Sequence, residues 1–288
     1  MPAINLGRFV KSCSISPGLA FSGQTPMKKF SSIFYFESVH SLDVQLESEQ
    51  GGLLREKTIP GSMVEFNGKN IRIDRNGNFI IGFSRNAPPD VILKITYPDG
   101  QVQKRKIKIS QREYQKQYIE GLPKKKVTPS EKDLRKIAED RSLIRGARSL
   151  STSTDIFLGE FIWPLRGTVT GVFGSQRILN GKARSPHLGI DIAAEEGTAI
   201  VSPAPGRIVL VEEDMFLNGK TIMIDHGFGL TSIYAHLSEI SVIKGELIEK
   251  GEMIGKVGMT GRSTGAHLHW GVHWYNIGLD PGLLLDDF

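Results

Sequence analysis

Of the seven histidines in this chain only His40 lies in the first half; His187, His226, His236, His267, His269 and His273 crowd into the second. In His-Leu-Gly-Ile-Asp a strand period of two puts His187, Gly189 and Asp191 on one face and Leu188, Ile190 and Ile192 on the other. Two side chains with metal-ligating atoms then point the same way, and the glycine between them leaves room. The same period applied to the segment from His267 puts His267, His269, Gly271 and His273 opposite Leu268, Trp270 and Val272. Catalytic zinc takes three His or carboxylate ligands and keeps a fourth position for water, so His187, Asp191 and one histidine of the His-Leu-His pair would suffice. Two neutral imidazoles and one carboxylate leave such a site net positive, which lowers the pKa of a bound water. Each signal alone is common in structural settings; their meeting on two β-type segments of one domain is what points to a metal.

The elements that must position these groups are mostly strands. From Leu42 the chain alternates, with Leu42, Val44 and Leu46 on one face, and turn signals recur at Asn67-Gly68, Asn76-Gly77 and Asp99-Gly100. Residues 41–109 are therefore expected to form a small immunoglobulin-like β-sandwich. Residues 110–155 change to long charged side chains broken by Pro123 and Pro129 and read as a basic linker. Within it Ser130 and Asp133 form a capping box, and Leu134, Ile137, Ala138, Ile144 and Ala147 predict a helix over about 131–148. Residues 156–288 return to glycine-bounded β segments and form a second, larger β domain.

Composition narrows the rest. The 288 residues are 39% hydrophobic, which suits two globular domains. Cys13 is the only cysteine, so neither a disulfide framework nor a Cys-based zinc site is available. No stretch approaches the roughly 18 apolar residues that span a bilayer, so a soluble or peripheral chain is expected. Residues 1–40 are a leader of open status: Met27-Lys28-Lys29 and the apolar run after it resemble a secretory signal, but Glu37 and His40 interrupt it early. Residues 160–288 hold 10 Lys+Arg against 15 Asp+Glu, while residues 1–159 hold 26 against 16. The basic half suits an anionic envelope surface or a merely solvated face; nucleic acid is not expected as a partner.

The order, spacing and glycine placement of the segments across residues 161–285 resemble the lysostaphin-type, or LytM-like, family of peptidoglycan metalloendopeptidases. The resemblance is carried by WPLRGTVTGVFG, by HLGIDIAAEEGTAIVSPAPGRIV, and by the run from TIMIDHG through YAHL to GRSTGAHLHWGV. It implies a LytM-like β domain with an active-site groove, one Zn2+ per chain held by His187, Asp191 and His269, and catalysis by His236 and His267. It also implies a peptide cross-link of peptidoglycan as substrate and a location in the cell envelope or periplasm. The chain departs from the family at Ala266, where proline is usual, and at Trp270-Gly271, which replaces an aromatic-acid pair; both lie outside the ligand set and bear on groove shape. It also lacks an H-E-x-x-H helix, so no glutamate base is placed by motif. Arg177 is a cation suited to a substrate carboxylate or to a surface salt bridge. Tyr234 shares a strand face with His236 and faces substrate or packs. Ser263 and Thr264 precede the His-Leu-His pair and can donate to substrate backbone. His226 and His273 are read as structural, the latter at the groove or within the fold.

Two other functions compete. A LytM-like module can act as a regulatory or binding unit that activates another wall hydrolase, and the complete histidine set argues against loss of catalysis here. A lipoyl-type carrier would share the GELIEKGEMIGKVG pattern but needs a lysine at the turn Ser-Pro-Ala-Pro-Gly, which has none.

Overall fold

The computed structural model describes residues 46–121, 127–149 and 159–285. The expected leader, the residues of the first strand before Leu46, Cys13 and His40 lie outside these. Seven strands come first: β1 (Leu46–Glu49), β2 (Leu53–Lys57), β3 (Met63–Phe66), β4 (Lys69–Ile71), β5 (Asn78–Gly82), β6 (Asp90–Thr96) and β7 (Val102–Ser110). One sheet has the order β1-β7-β6-β3-β4, and β2 pairs with β5 in a second. Alternation along β6 buries Val91, Leu93 and Ile95, which join Ile107 of β7 and Phe79 and Ile81 of β5 in the core. The Asn67-Gly68 turn has φ of +50° and +72°, the signature of a tight turn whose twist matches its strands, and it joins β3 to β4.

Two further elements follow, β8 (Lys116–Ile119) and helix α1 (Glu131–Ser149). The helix starts on the capping box: the Asp133 amide donates to Ser130 Oγ at 3.3 Å, and Asp133 Oδ2 accepts from the Ser130 hydroxyl at 2.8 Å. Of the expected stripe Ile137 and Ala147 are buried while Leu134 and Ala138 are exposed, and Asp133 and Asp140 also face inward. Asp140 is accommodated because its Oδ2 accepts from the Phe216 amide at 2.8 Å. The linker also holds a strand that its composition does not announce.

The C-terminal strands are β9 (Thr168–Gly171), β10 (Gln176–Leu179), β11 (Lys182–Ala183), β12 (Ile190–Ala193), β13 (Ala199–Val201), β14 (Gly206–Met215) and β15 (Gly219–Asp225). They continue as β16 (Leu230–Leu237), β17 (Glu239–Ile240), β18 (Leu247–Ile248), β19 (Met253–Lys256), β20 (His267–Trp274) and β21 (Ile277–Leu279). The main sheet runs β18-β14-β15-β16-β20-β12-β9, with β21 also on β20. Smaller sheets have the orders β13-β19-β17 and β11-β10-β8. The protein is thus mostly β. The core side of the main sheet carries Ile222, Ile224, Tyr234, Leu268, Trp270 and Val272, continuous with the core of the N-terminal strands. Ala147 of α1 packs with Val209, Leu210, Met223 and Ile233 on the opposite side. No described helix is long and apolar enough to cross a membrane.

Candidate metal centre and active-site cleft

The β12–β20 ladder brings the sequence-expected ligands together. Asp191 pairs directly with His269 in antiparallel register, so their side chains share a face, and His187 enters from just before β12. Gly189 is required for this approach: a Cβ there would lie 2.5 Å from the Trp270 carbonyl oxygen and 2.8 Å from His269 Cε1. His187 Nε2 lies 3.0 Å from His269 Nδ1 and 3.1 Å from Asp191 Oδ1, and His269 Nδ1 lies 2.9 Å from that same oxygen. These edges are close to the roughly 3.3 Å expected between N and O ligands of a tetrahedral site with bonds near 2.0 Å.

The hydrogen bonding of the ligands suits a cation. His187 Nδ1 lies 3.2 Å from the Val172 carbonyl, which can only accept, so the ring carries its proton there and turns the Nε2 lone pair toward Asp191 Oδ1 and His269 Nδ1. A lone pair and a carboxylate oxygen facing each other at this range lack a positive partner, and a metal bound by His187, Asp191 and His269 would supply it. Burial holds the His187 pKa down at about 4, partly offset by Asp191, so the ring is neutral and free to ligate. Burial alone would raise the Asp191 carboxyl, but the adjacent imidazoles of His187 and His269 hold it well below the usual carboxylate range.

Arg177, read as a cation for a substrate carboxylate or for a salt bridge, forms a salt bridge with this carboxylate. Its Nη2 pairs with Asp191 Oδ2, and its Nε donates to Gln117 Oε1 at 3.2 Å. It therefore orients the ligand and leaves Oδ1 for the centre. Gly171 makes the pairing feasible, since a Cβ there would sit 2.4 Å from Asp191 Oδ2.

His236 and His267 stand beside the ligands, with ring centroids 4.8 Å apart; His236 is 6.2 Å from His269. His236 Nδ1 donates to the Thr260 carbonyl at 2.8 Å and His267 Nδ1 to the Gly265 carbonyl at 2.8 Å. With the proton on Nδ1, each ring keeps Nε2 as an acceptor. Burial, together with His269 and His267 nearby, pushes the His236 pKa down to about 3. His236 has φ +68°, a left-handed conformation that costs energy in a non-glycine residue and clusters at functional sites.

That backbone twist corrects the expectation for Tyr234. Tyr234 pairs with Trp270 on the core side of the β16–β20 ladder, and Ala235 pairs with His269 on the site side. Strict alternation would send His236 into the core with Tyr234, but the left-handed twist turns its ring out to His267. Tyr234 stays fully buried, its hydroxyl 2.8 Å from Ser232 Oγ, which in turn is 2.8 Å from His226 Nε2. It cannot touch substrate, and His226 belongs to the same buried chain. His273 is buried with Arg148 of α1 close by and is not one of the three converging donors.

A cleft of about 320 Å³ opens beside the centre, lined by Asp191, His236 and His267 together with Ser263, Thr264 and Arg262. Ser263 Oγ lies 3.1 Å from His267 Nδ1 and holds the loop, while Thr264 is exposed at the rim. Arg262 and Gln117 are among the lining residues that escaped the sequence reading. Arg262 directly precedes the Ser-Thr-Gly run and was legible as part of that loop. Gln117 comes from β8, which pairs in parallel with β10, and nothing in its local sequence marks it as a wall of this cleft.

With this geometry in place, comparison with known proteins is informative. Residues 185–281 match the model of peptidase family M23. The DD-carboxypeptidase/endopeptidase Mpg of Neisseria meningitidis serogroup B is 44% identical over 84 residues, 29% of this chain and 19% of that protein. The murein hydrolase activator NlpD of Salmonella dublin is 31% identical over 131 residues, 46% of this chain and 33% of that protein. The matching stretch thus spans a third or less of each relative's length. A solved structure of a provisionally assigned peptidase M23 from Pseudomonas aeruginosa aligns with a TM-score of 0.65 at 26% identity, over 83% of this chain and 96% of that one. That alignment reaches well beyond residues 185–281 and so takes in more than the metal-site domain.

Proposed function

Since residues 185–281 form a LytM-like domain of peptidase family M23, we propose that this chain is a zinc-dependent endopeptidase that hydrolyses peptide bonds of bacterial peptidoglycan. The observation that carries this reading is the convergence of His187, Asp191 and His269 within 4.8 Å, next to two imidazoles that keep free Nε2 acceptors at one cleft. When bound, one zinc would lower the pKa of a water and polarise the scissile carbonyl. Arg177 fixes the Asp191 carboxylate, and Val172 fixes the His187 tautomer. His236 and His267 orient the attacking water through Nε2, take its proton and return it to the leaving amine. In the protonated state the same Nε2–H donates to the developing oxyanion. Thr264, at the rim, offers a hydroxyl to substrate backbone.

The place of action is the cell envelope or periplasm. Lys104, Lys106 and Lys108 stand exposed along β7 and give the sandwich a basic strand suited to an anionic envelope surface. Binding to purified sacculi that weakens with added salt is the signature of that contact. The likeness to NlpD favours a second reading, in which the domain activates another wall hydrolase. One experiment separates the two. Purified sacculi are incubated with the full chain alone and the released fragments are read by mass spectrometry. The enzyme reading expects new peptide termini that disappear with chelator; release only when a second hydrolase is added would establish the activator.

A further inference from the structure

Arg262 lines the same cleft as His236 and His267, half-buried, and its place is fixed by the main chain. Its amide donates to the Leu217 carbonyl at 2.8 Å, and Gly261 beside it backs so closely onto Gly219 that a Cβ would lie 2.4 Å from the Gly219 nitrogen. The loop that receives it also accepts from His236, whose amide donates to the Asn218 carbonyl at 2.8 Å. The guanidinium and the catalytic imidazole are therefore held on one support.

Among the described residues the Arg262 side chain has no ion pair and no hydrogen bond. Among the described residues, the charged groups that act on it are cations, Arg177, Arg184 and Arg141. Arg177 is already paired with Asp191, and Arg184 donates to the Val127 carbonyl. Among the described residues Asp191 is the one carboxylate lining the cleft, and it is engaged by Arg177, His187 and His269. A partly desolvated guanidinium without a counter-ion is costly, and an anion brought from outside would offset that cost. Guanidinium geometry matches a carboxylate through two parallel N–H donors.

We propose that Arg262 is a specificity-determining residue that binds a free carboxylate of the substrate peptide, within a residue or two of the bond that is cut. This rests on the peptidase reading for the cleavage step, but the anion subsite itself does not. The chain would then prefer acidic peptides over their amidated counterparts.

The test uses a cross-linked stem-peptide dimer with free carboxylates and the same dimer with those groups converted to primary amides. Cleavage and calorimetric binding are measured with the full chain, binding being done in chelator so that nothing is hydrolysed. The wild type is expected to favour the carboxylate dimer roughly tenfold or more in both kcat/KM and affinity, through KM. R262M is expected to lose that preference, and R262K, which keeps the charge without the fork, to retain part of it, with folding checked by circular dichroism. Equal cleavage and equal binding of the two dimers by the wild type overturn the subsite and leave the peptidase reading intact, as does a preference unchanged in R262M. Absence of cleavage together with a binding preference that R262M abolishes supports the subsite and removes the peptidase reading. Absence of binding to the carboxylate dimer overturns the subsite.

Discussion

At the residue scale the division of labour between neighbouring histidines is testable within one strand. His269→Ala is expected to lose zinc and activity together, whereas His236→Ala and His267→Ala keep the metal and slow hydrolysis by roughly a hundredfold or more. Elemental analysis and cleavage rates on the same preparations check this, and metal loss in His267→Ala with retention in His269→Ala would reverse the assignment. The grouping of these side chains was legible because alternation along β12 and β20 survives folding: Asp191 meets the His-Leu-His strand as expected, and its register partner is His269, the histidine that the family resemblance singled out. Of the two readings open for Tyr234 the structure shows packing; its expected face was set by carrying the same rule across His236, whose φ of +68° breaks it. Buried neutral imidazoles also set an acid limit. Burial holds the His226 pKa at about 4, below its ordinary 6.5, so the unfolded chain binds more protons between those values. Stability contributed by neutral His226 is complete above about pH 6.5 and is lost as pH falls toward 4, by up to about 3 kcal/mol for this group. Thermal melts of chelated protein should show Tm falling across that window; a flat Tm from pH 6.5 to 4 would contradict it.

At the element scale the site depends on how closely β12 and β20 approach. Gly189→Ala places a methyl against the Trp270 carbonyl and the His269 ring, so it should push the ligands apart. Zinc affinity is expected to fall by at least tenfold with little change in circular dichroism, measured by competition with a chromophoric chelator; unchanged affinity would show that the strands yield easily. Helix α1 was readable at its start from Ser130 and Asp133, since a cap is a local hydrogen bond. Its buried face was readable in part: Ile137 and Ala147 turn inward as expected, but inward Asp140 is decided by a bond to Phe216 far along the chain. β8 was hidden for the same reason: Lys116–Ile119 gains its strand character by adding to β10 and not from its own pattern.

At the scale of the whole molecule, among the described residues, the N-terminal strands and the metal-site sheet belong to one compact unit. Phe66 meets Trp274 with ring centroids 6.4 Å apart, Arg112 pairs with Asp280 at 2.8 Å, and the Asp280 amide donates to the Gly51 carbonyl at 2.8 Å. The sequence announced two β regions but not this junction, whose partners are far apart in the chain and carry no shared motif. Gly82→Val would drive a side chain into Trp274 and Leu279, each within 2.9 Å of a Cβ there. Overpacking of this kind costs about 1–3 kcal/mol. Calorimetry should therefore show a single transition that moves down as a unit, and two transitions with only one displaced would mean that the domains unfold separately. The central claim is that three side chains hold one catalytic zinc, and it is tested most directly by adding zinc back to chelated full-length protein while following peptide release from sacculi. Activity is expected to rise linearly and stop at about one equivalent, with Asp191→Ala flat throughout. Full activity before any zinc is added, or equal activity in Asp191→Ala, would contradict the account.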